Sequence, residues 1–317
     1  ASSDAVRGLN IQPGSGTAGL TASGATSLTV GEVSVTTVNA TAVSLTNSDG
    51  TFSFTSVSAS GGGNGIVWNN SSAATGSLTV NGDGSNTTLG GNTSGGTISN
   101  MTGTDGTTAG IGIYLNNARN VTLRRMTVNG TNQNFGIRGT SVTNFTMEYS
   151  TVAGVNGTST PNREGSVIFD NLFGSNAITN SIVSGAIEDN VRVENTTGTL
   201  TAFNLTNSTI RNNSTVSGNI GFRFATAMTG VTMTGTVSGS TFQGNRTIAI
   251  QADASNGTVN FTATNNTIIA GAGGNNQGNQ GIEVDVANNG VMTFNVSGNK
   301  IGTAGTTNQP LLNTGPN

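Results

Sequence analysis

A short strand pattern recurs along this chain and constrains what it can fold into. Ile111-Gly112-Ile113 returns as Phe135-Gly136-Ile137, Val167-Ile168-Phe169, Val191-Arg192-Val193, Phe222-Arg223-Phe224, Ile248-Ala249-Ile250 and Ile282-Glu283-Val284. Two apolar residues flank a middle residue of variable chemistry, the period-2 signature of a strand with one buried face. Recurrence of one strand type every two to three dozen residues marks a stacked repeat. Such a chain is a pile of coils first and a carrier of chemistry second.

Two further strand positions complete each coil. Val121-Thr122-Leu123, Phe145-Thr146-Met147, Val231-Thr232-Met233, Val259-Asn260-Phe261 and Met292-Thr293-Phe294 follow the first strand after a turn. The third position runs into Ile210, Phe242, Ile268 and Ile301, each preceded by a polar bend in which Ser208, Ser240, Asn266 and Asn299 share a column. Polar side chains stacked at a bend can satisfy buried backbone groups of the neighbouring coil, so this column is expected to form a Ser/Asn ladder. The expected inward columns of the first strand are Ile111, Phe135, Val167, Val191, Phe222, Ile248, Ile282 and the residues two further on. In the N-terminal third, Leu20, Val43 and Ile66 open strands 23 residues apart, and the 45 residues from Ile66 to Ile111 are expected to hold two coils, one of them near Leu89 to Ile98. About eleven coils result, a stack of roughly 50 Å or more at the spacing of paired strands. From Ile111 the repeats run 24, 32, 24, 31, 26 and 34 residues, and the excess collects at 156–165, 212–221 and 271–281, just before the first strand. Insertions on one corner of a solenoid often build its functional face, although surface turns also drift in length at little cost.

Composition agrees with a stack and removes several chemistries. The 317 residues include 48 Gly, 4 Pro and only 8% charged residues; Lys occurs once, at Lys300. Gly, Asn, Thr and Ser are weak helix formers. There is no Cys and no His, which removes disulfides, thiolate nucleophiles, Ser-His-Asp triads and His metal sites. The formal net charge is -3, and the 11 Lys and Arg are scattered without interleaved aromatics, so no nucleic acid is expected as partner. No apolar run reaches the roughly 18 residues of a membrane span. Residues 1–7 carry no signal peptide, so a secreted reading requires a processed form or a piece of a longer chain.

Segments such as "VTMTGTVSGSTFQGN", "VNFTATNNTIIAGAGG" and "MTFNVSGNKIGTAG" carry a resemblance. The unit resembles the right-handed parallel β-helix of the pectin-lyase-like superfold, and the segments look like the Gly/Asn/Thr-rich repeats of very large bacterial surface or secreted proteins. The resemblance covers nearly the whole chain, best from Gly110 to Gly305. It implies an all-β, right-handed parallel β-helix over 1–317 as a single segment, in agreement with the handedness bias of parallel crossovers. It further implies an extracellular or cell-surface stalk, fibre or adhesin shaft, extended by neighbouring solenoid segments or by copies of itself end to end, because open ends expose unpaired strand edges.

The residues that would carry chemistry lie on the outward side of the first strand. By alternation Gly112, Gly136, Ile168, Arg192, Arg223, Ala249 and Glu283 form one outward column, and Tyr114, Arg138, Asp170, Glu194, Ala225, Gln251 and Asp285 the other, with Glu188 and Asp189 in the adjoining turn. The catalytic candidates are Arg138, Asp170, Arg192, Glu194 and Arg223. Polysaccharide lyases and hydrolases of the resembled superfold place acids and basic residues on such a face. Two carboxylates about 5–10 Å apart would serve acid/base work on a glycoside, and an Arg would act as base or hold a uronate. The competing reading is a solvated cross-strand charge network, and Tyr114 is the one aromatic beside it on which a sugar would stack. Non-enzymatic structure or adhesion is the expectation, with a polysaccharide-binding module or a polysaccharide lyase or hydrolase as the alternative, and no cofactor or metal.

Three other features read as fold rather than site. Thr29, Ser53, Thr79, Thr122, Thr146, Thr232 and Thr293 are expected outward on the second strand, an array that resembles those of β-solenoid ice binders but is broken by Arg124 and Glu148, and Thr there follows from strand preference alone. The Asp49-Gly50 and Asp83-Gly84 steps are turns before they are calcium loops. Asn-x-Ser/Thr triplets at Asn39, Asn86, Asn129, Asn204 and Asn260 arise from composition.

Overall fold

The computed structural model describes residues 4–211, 220–269, 280–302 and 311–313. The chain is an all-β, right-handed parallel β-helix, with no helix among the described residues. Every strand pairing is parallel, from coil to coil, and three faces turn about one axis. Among the described residues the first face carries eleven rungs, including Leu20–Ser23, Val43–Thr46, Asn64–Asn69, Ile111–Asn116, Val167–Phe173, Val191–Glu194, Ile220–Thr226, Ile248–Ala254 and Gln280–Val286. Some strands bend round a corner and serve two faces, as Leu28–Val38, Gly50–Ser60 and Phe135–Glu148 do.

One continuous apolar core runs up the axis from Leu20 to Ile282. Its centre is aromatic. Phe203 stacks on Phe222 at 5.6 Å, and Phe224 on Phe261 at 5.9 Å. In an earlier coil Trp68 meets Phe52 edge-on and donates its indole N–H to the Ser48 carbonyl at 2.9 Å, so its one polar atom is satisfied in the core.

The polar column at the bend between the second and third faces is a ladder of side-chain hydrogen bonds. The backbone N–H of Met126 donates to Ser150 Oγ, that of Ser150 to Ser181 Oγ, Ser181 to Ser208, Ser208 to Ser240, Ser240 to Asn266 Oδ1 and Asn266 to Asn299 Oδ1, at 2.9–3.2 Å. The residue before each ladder member is left-handed: Tyr149, Asn180, Asn207, Gly239, Asn265 and Gly298 all have φ between 46° and 68°. Asn and Gly enter that region at least cost. The Asn-Ser and Gly-Ser steps of the sequence are therefore the corners themselves.

The sequence reading is corrected at three places. Ile66 pairs directly with Ile113, so a single 47-residue coil separates these rungs and no coil stands at Leu89 to Ile98. Ile98 is a third-face residue of that coil. The excess forms a strap, residues 81–95, that runs outside the bend across later coils: Gly90 N–H donates to Asn180 O, and Thr151 donates to Gly90 O. A spacing close to twice 23 residues imitated two coils.

The second correction is register. Val167 pairs with Ile137, not Phe135, and Phe222 with Ile250, not Ile248. The cause is a corner residue at the start of the rung. A Cβ on Gly112 or Gly136 would point inward, towards Val128 and Val152 of the third face, and would sit 2.5 and 2.6 Å from the carbonyl oxygens of Gly136 and Ser166. Two successive residues thus face inward at the corner, and the alternation starts one residue later than a simple reading predicts. Ile111 and Phe135 fall outside the core and join Ile168 and Tyr114 in a separate apolar cluster, while Ala249 is buried in the core rather than outward. Third, the expected Thr column divides. Ser53, Thr79, Thr122 and Thr146 align, but Ala177 and Asn204 follow them; Thr29 pairs with Thr51, and Thr232 and Thr293 belong to two other columns.

Candidate functional site

The corrected register rebuilds the outward side of the first face. One column reads Val67, Tyr114, Arg138, Ile168, Arg192, Arg223, Gln251, Glu283, and the next reads Asn69, Asn116, Thr140, Asp170, Glu194, Ala225, Asp253, Asp285. Asp170 and Glu194 are register neighbours, as are Arg192 and Arg223, both as expected. Arg138 is not in the Asp170 column. It stands in the Ile168 row and reaches diagonally to pair with Asp170.

The five predicted residues do come together, but as members of ion pairs. Asp170 is held by Arg138; Glu194 Oε2 is 2.7 Å from Arg163; Arg192 is 3.6 Å from Asp189; Arg223 is 3.7 Å from Asp253. Two partners escaped the sequence reading. Arg163 sits in the 156–165 insertion, one of the three lengthened corners, and Asp253 becomes visible once Phe222 is aligned with Ile250. Burial works to raise the Glu194 carboxyl, but the Arg163 hydrogen bond and the Arg163, Arg223 and Arg192 charges outweigh it and hold the group below the ordinary range. Glu194 is therefore ionised at neutral pH and unsuited to act as a general acid.

Arg192 is not on a solvated surface. It is 2% exposed, donates to the Arg163 carbonyl at 3.0 Å, and lies against Asp189, which is 4% exposed. Burial pushes the Arg192 guanidinium down, with Asp189 opposing, and pushes the Asp189 carboxyl up, with Arg192 and Arg223 opposing. No polymer can touch a side chain so enclosed. The pair props the corner from within.

Corner loops wall the same face further up the chain. Asn134 Nδ2 lies within hydrogen-bond reach of the carbonyls of Thr104 at 3.0 Å, Thr107 at 3.0 Å and Ala109 at 2.6 Å. The Glu164 carboxylate, fully buried, accepts from the N–H groups of Thr158 and Ser159, both at 2.8 Å. The first loop overhangs a groove of about 250 Å³ floored by Ile111 and Phe135, with Tyr114, Arg138, Thr140 and Asn162 on its sides. Arg138 lies over the Phe135 ring at 4.9 Å. This groove was hidden from the sequence because Ile111 and Phe135 read as core.

The remaining sequence features are structural. Asp83 accepts from Ser85 and Asn86 N–H, each at 3.1 Å, and from Asn92 at 2.6 Å, and faces Arg125 at 3.2 Å. It pins the strap. Asp49 accepts from Thr75. Among the described residues no group of three or more acidic side chains is gathered for a metal, and no helix is long and apolar enough to cross a membrane. No family model matches the chain, and neither a curated protein nor a solved structure matches it.

Proposed function

We propose that this chain is a rigid, non-enzymatic segment of an extracellular or cell-surface shaft, fibre or adhesin, of the kind that large bacterial proteins with pectin-lyase-like repeats would carry. The observation that carries this reading is the pairing on the first face. Asp170, Glu194, Asp189 and Asp253 each face a guanidinium, which leaves none of them as a free acid for glycoside chemistry. Such cross-strand pairs brace neighbouring rungs.

The partner in this reading is a neighbouring solenoid segment or a second copy, stacked end to end. Its support is the coil-to-coil register, in which Phe294 continues the column of Phe261 and each coil offers the next its strand edge.

The test incubates the protein with acidic and neutral polysaccharides and follows reducing ends and the absorbance of unsaturated uronates. No turnover is expected. Turnover that disappears in Asp170→Ala would replace the shaft with an enzyme. Sedimentation supplies the second arm: self-association that rises with concentration and is lost in Phe294→Glu is expected, and a monomer at all concentrations counts against end-to-end stacking.

A further inference from the structure

We propose that the groove beneath the 104–109 loop is a binding site for a neutral saccharide, with a pyranose ring laid against Tyr114. The site touches the ion-pair network only at Arg138 and does not depend on the shaft reading. A shaft without a glycan site remains a shaft, so the two fail separately.

The walls and floor differ in chemistry in the way a sugar ring does. The floor is apolar: Ile111 and Phe135 line it, backed by the buried Ile168 in a cluster separate from the core, and Tyr114 packs against that cluster half-buried. The rim is hydroxyl and amide, from Thr107, Thr108, Thr140 and Asn162. A pyranose presents an apolar C–H face and an equatorial ring of hydroxyls, and aromatic side chains with one apolar and one polar end suit such ligands. The cavity of about 250 Å³ is below the roughly 300–1,000 Å³ of pockets that enclose a drug-sized molecule. It accordingly takes one ring of a chain that crosses the surface.

Charge selects a neutral ligand. Arg138 is the single charged side chain in the lining, and Asp170 already neutralises it. A uronate would have to displace Asp170 from its guanidinium, exchanging one carboxylate for another with no net gain. The wall is also built in advance: the Asn134 amide clamps the carbonyls of Thr104, Thr107 and Ala109, so little ordering remains to oppose binding.

The experiment screens the protein against an array of neutral and acidic glycans and measures any hit by titration, with Tyr114→Ala and the exposed-rim variant Thr108→Val alongside. Retention of at least one neutral oligosaccharide is expected, weakened tenfold or more by Tyr114→Ala and severalfold by Thr108→Val, with the thermal unfolding of Thr108→Val unchanged. If Tyr114→Ala does not fold, Thr108→Val decides alone. An array without a neutral hit overturns the proposal. So does affinity unchanged in a folded variant, or a preference for oligogalacturonate that falls with added salt.

Discussion

Asp189 and Arg192 face one another at 3.6 Å under the 156–165 corner, 4% and 2% exposed. The pair is a load shared between two buried charges, with Arg192 the largest charge offsetting the burial of Asp189 and Arg223 and the Ile220 N–H adding to it. Arg192→Met strands Asp189 in the interior and is expected to cost about 3–5 kcal/mol. The double variant Asp189→Leu with Arg192→Met removes both charges and is expected to recover most of that loss. Thermal and chemical denaturation of the two singles and the double closes the cycle; a double variant no better than Arg192→Met would show that the charges do not act as a pair.

The Ser/Asn ladder makes a second prediction. Ser208→Ala removes the acceptor for the buried Ser181 N–H and should cost about 1–3 kcal/mol, the penalty of an unmet buried donor. Ser208→Asn should be far milder, because the column already changes from Ser to Asn at Asn266. Equal losses in both variants would mean that the volume at the bend, not the hydrogen bond, matters.

A third concerns the corner glycine. Gly136→Ala would place a methyl 2.6 Å from the Ser166 carbonyl oxygen, a backbone atom of the next coil that cannot turn aside. A lower melting temperature is expected, with the damage confined to the first-face rungs around residues 135 and 167 in hydrogen exchange. A variant as stable as the parent would show that the coils can part by several tenths of an ångström.

The strap supplies the pH prediction. The Asn92 hydrogen bond, the Asn86 and Ser85 N–H groups and Arg125 lower the Asp83 carboxyl from 3.8 to about 2. A carboxyl depressed in the folded state adds stability above its unfolded value, and that contribution fades as pH falls from 3.8 towards 2. Asp83→Ala should therefore melt below the parent at pH 6 and alongside it near pH 2. A gap that persists at pH 2 would assign the effect to the shape of the loop rather than to the charge.

Alternation and recurrence were enough to read the architecture, three strands per coil and the Ser/Asn column, because inward faces must be apolar and bends must be polar in every coil. Register was legible only where no corner residue intervened. Val167, Val191 and Phe222 align as the pattern says, whereas Phe135 and Ile248 look like inward residues yet stand one corner too early. That error of two residues hid both the Arg223–Asp253 pair and the groove floor of Ile111 and Phe135. The triplets Ile113-Tyr114-Leu115 and Ile137-Arg138-Gly139 were present as the alternative frame, and a Gly at the first middle position was the signal for it. The charged candidates were found because a polar residue between two apolar ones is conspicuous; their mutual neutralisation was not legible, since Arg163 reaches in from a loop.

The bonds from backbone N–H to ladder side chain all run one way, while Asn266 and Asn299 Nδ2 return donors to the Val237 and Ala263 carbonyls of the earlier coil. The N–H belongs to the earlier coil and the side-chain oxygen to the later one, from Met126 through to Asn299. A coil without a successor thus leaves its ladder N–H as an open donor beside open carbonyls, and a coil without a predecessor leaves its ladder side-chain oxygen as an open acceptor beside open N–H groups. Two copies of such a column are complementary head to tail and mismatched head to head or tail to tail. Any assembly that continues the ladder is heterologous, with no two-fold axis to close it, and grows as a filament with one direction rather than stopping at a dimer.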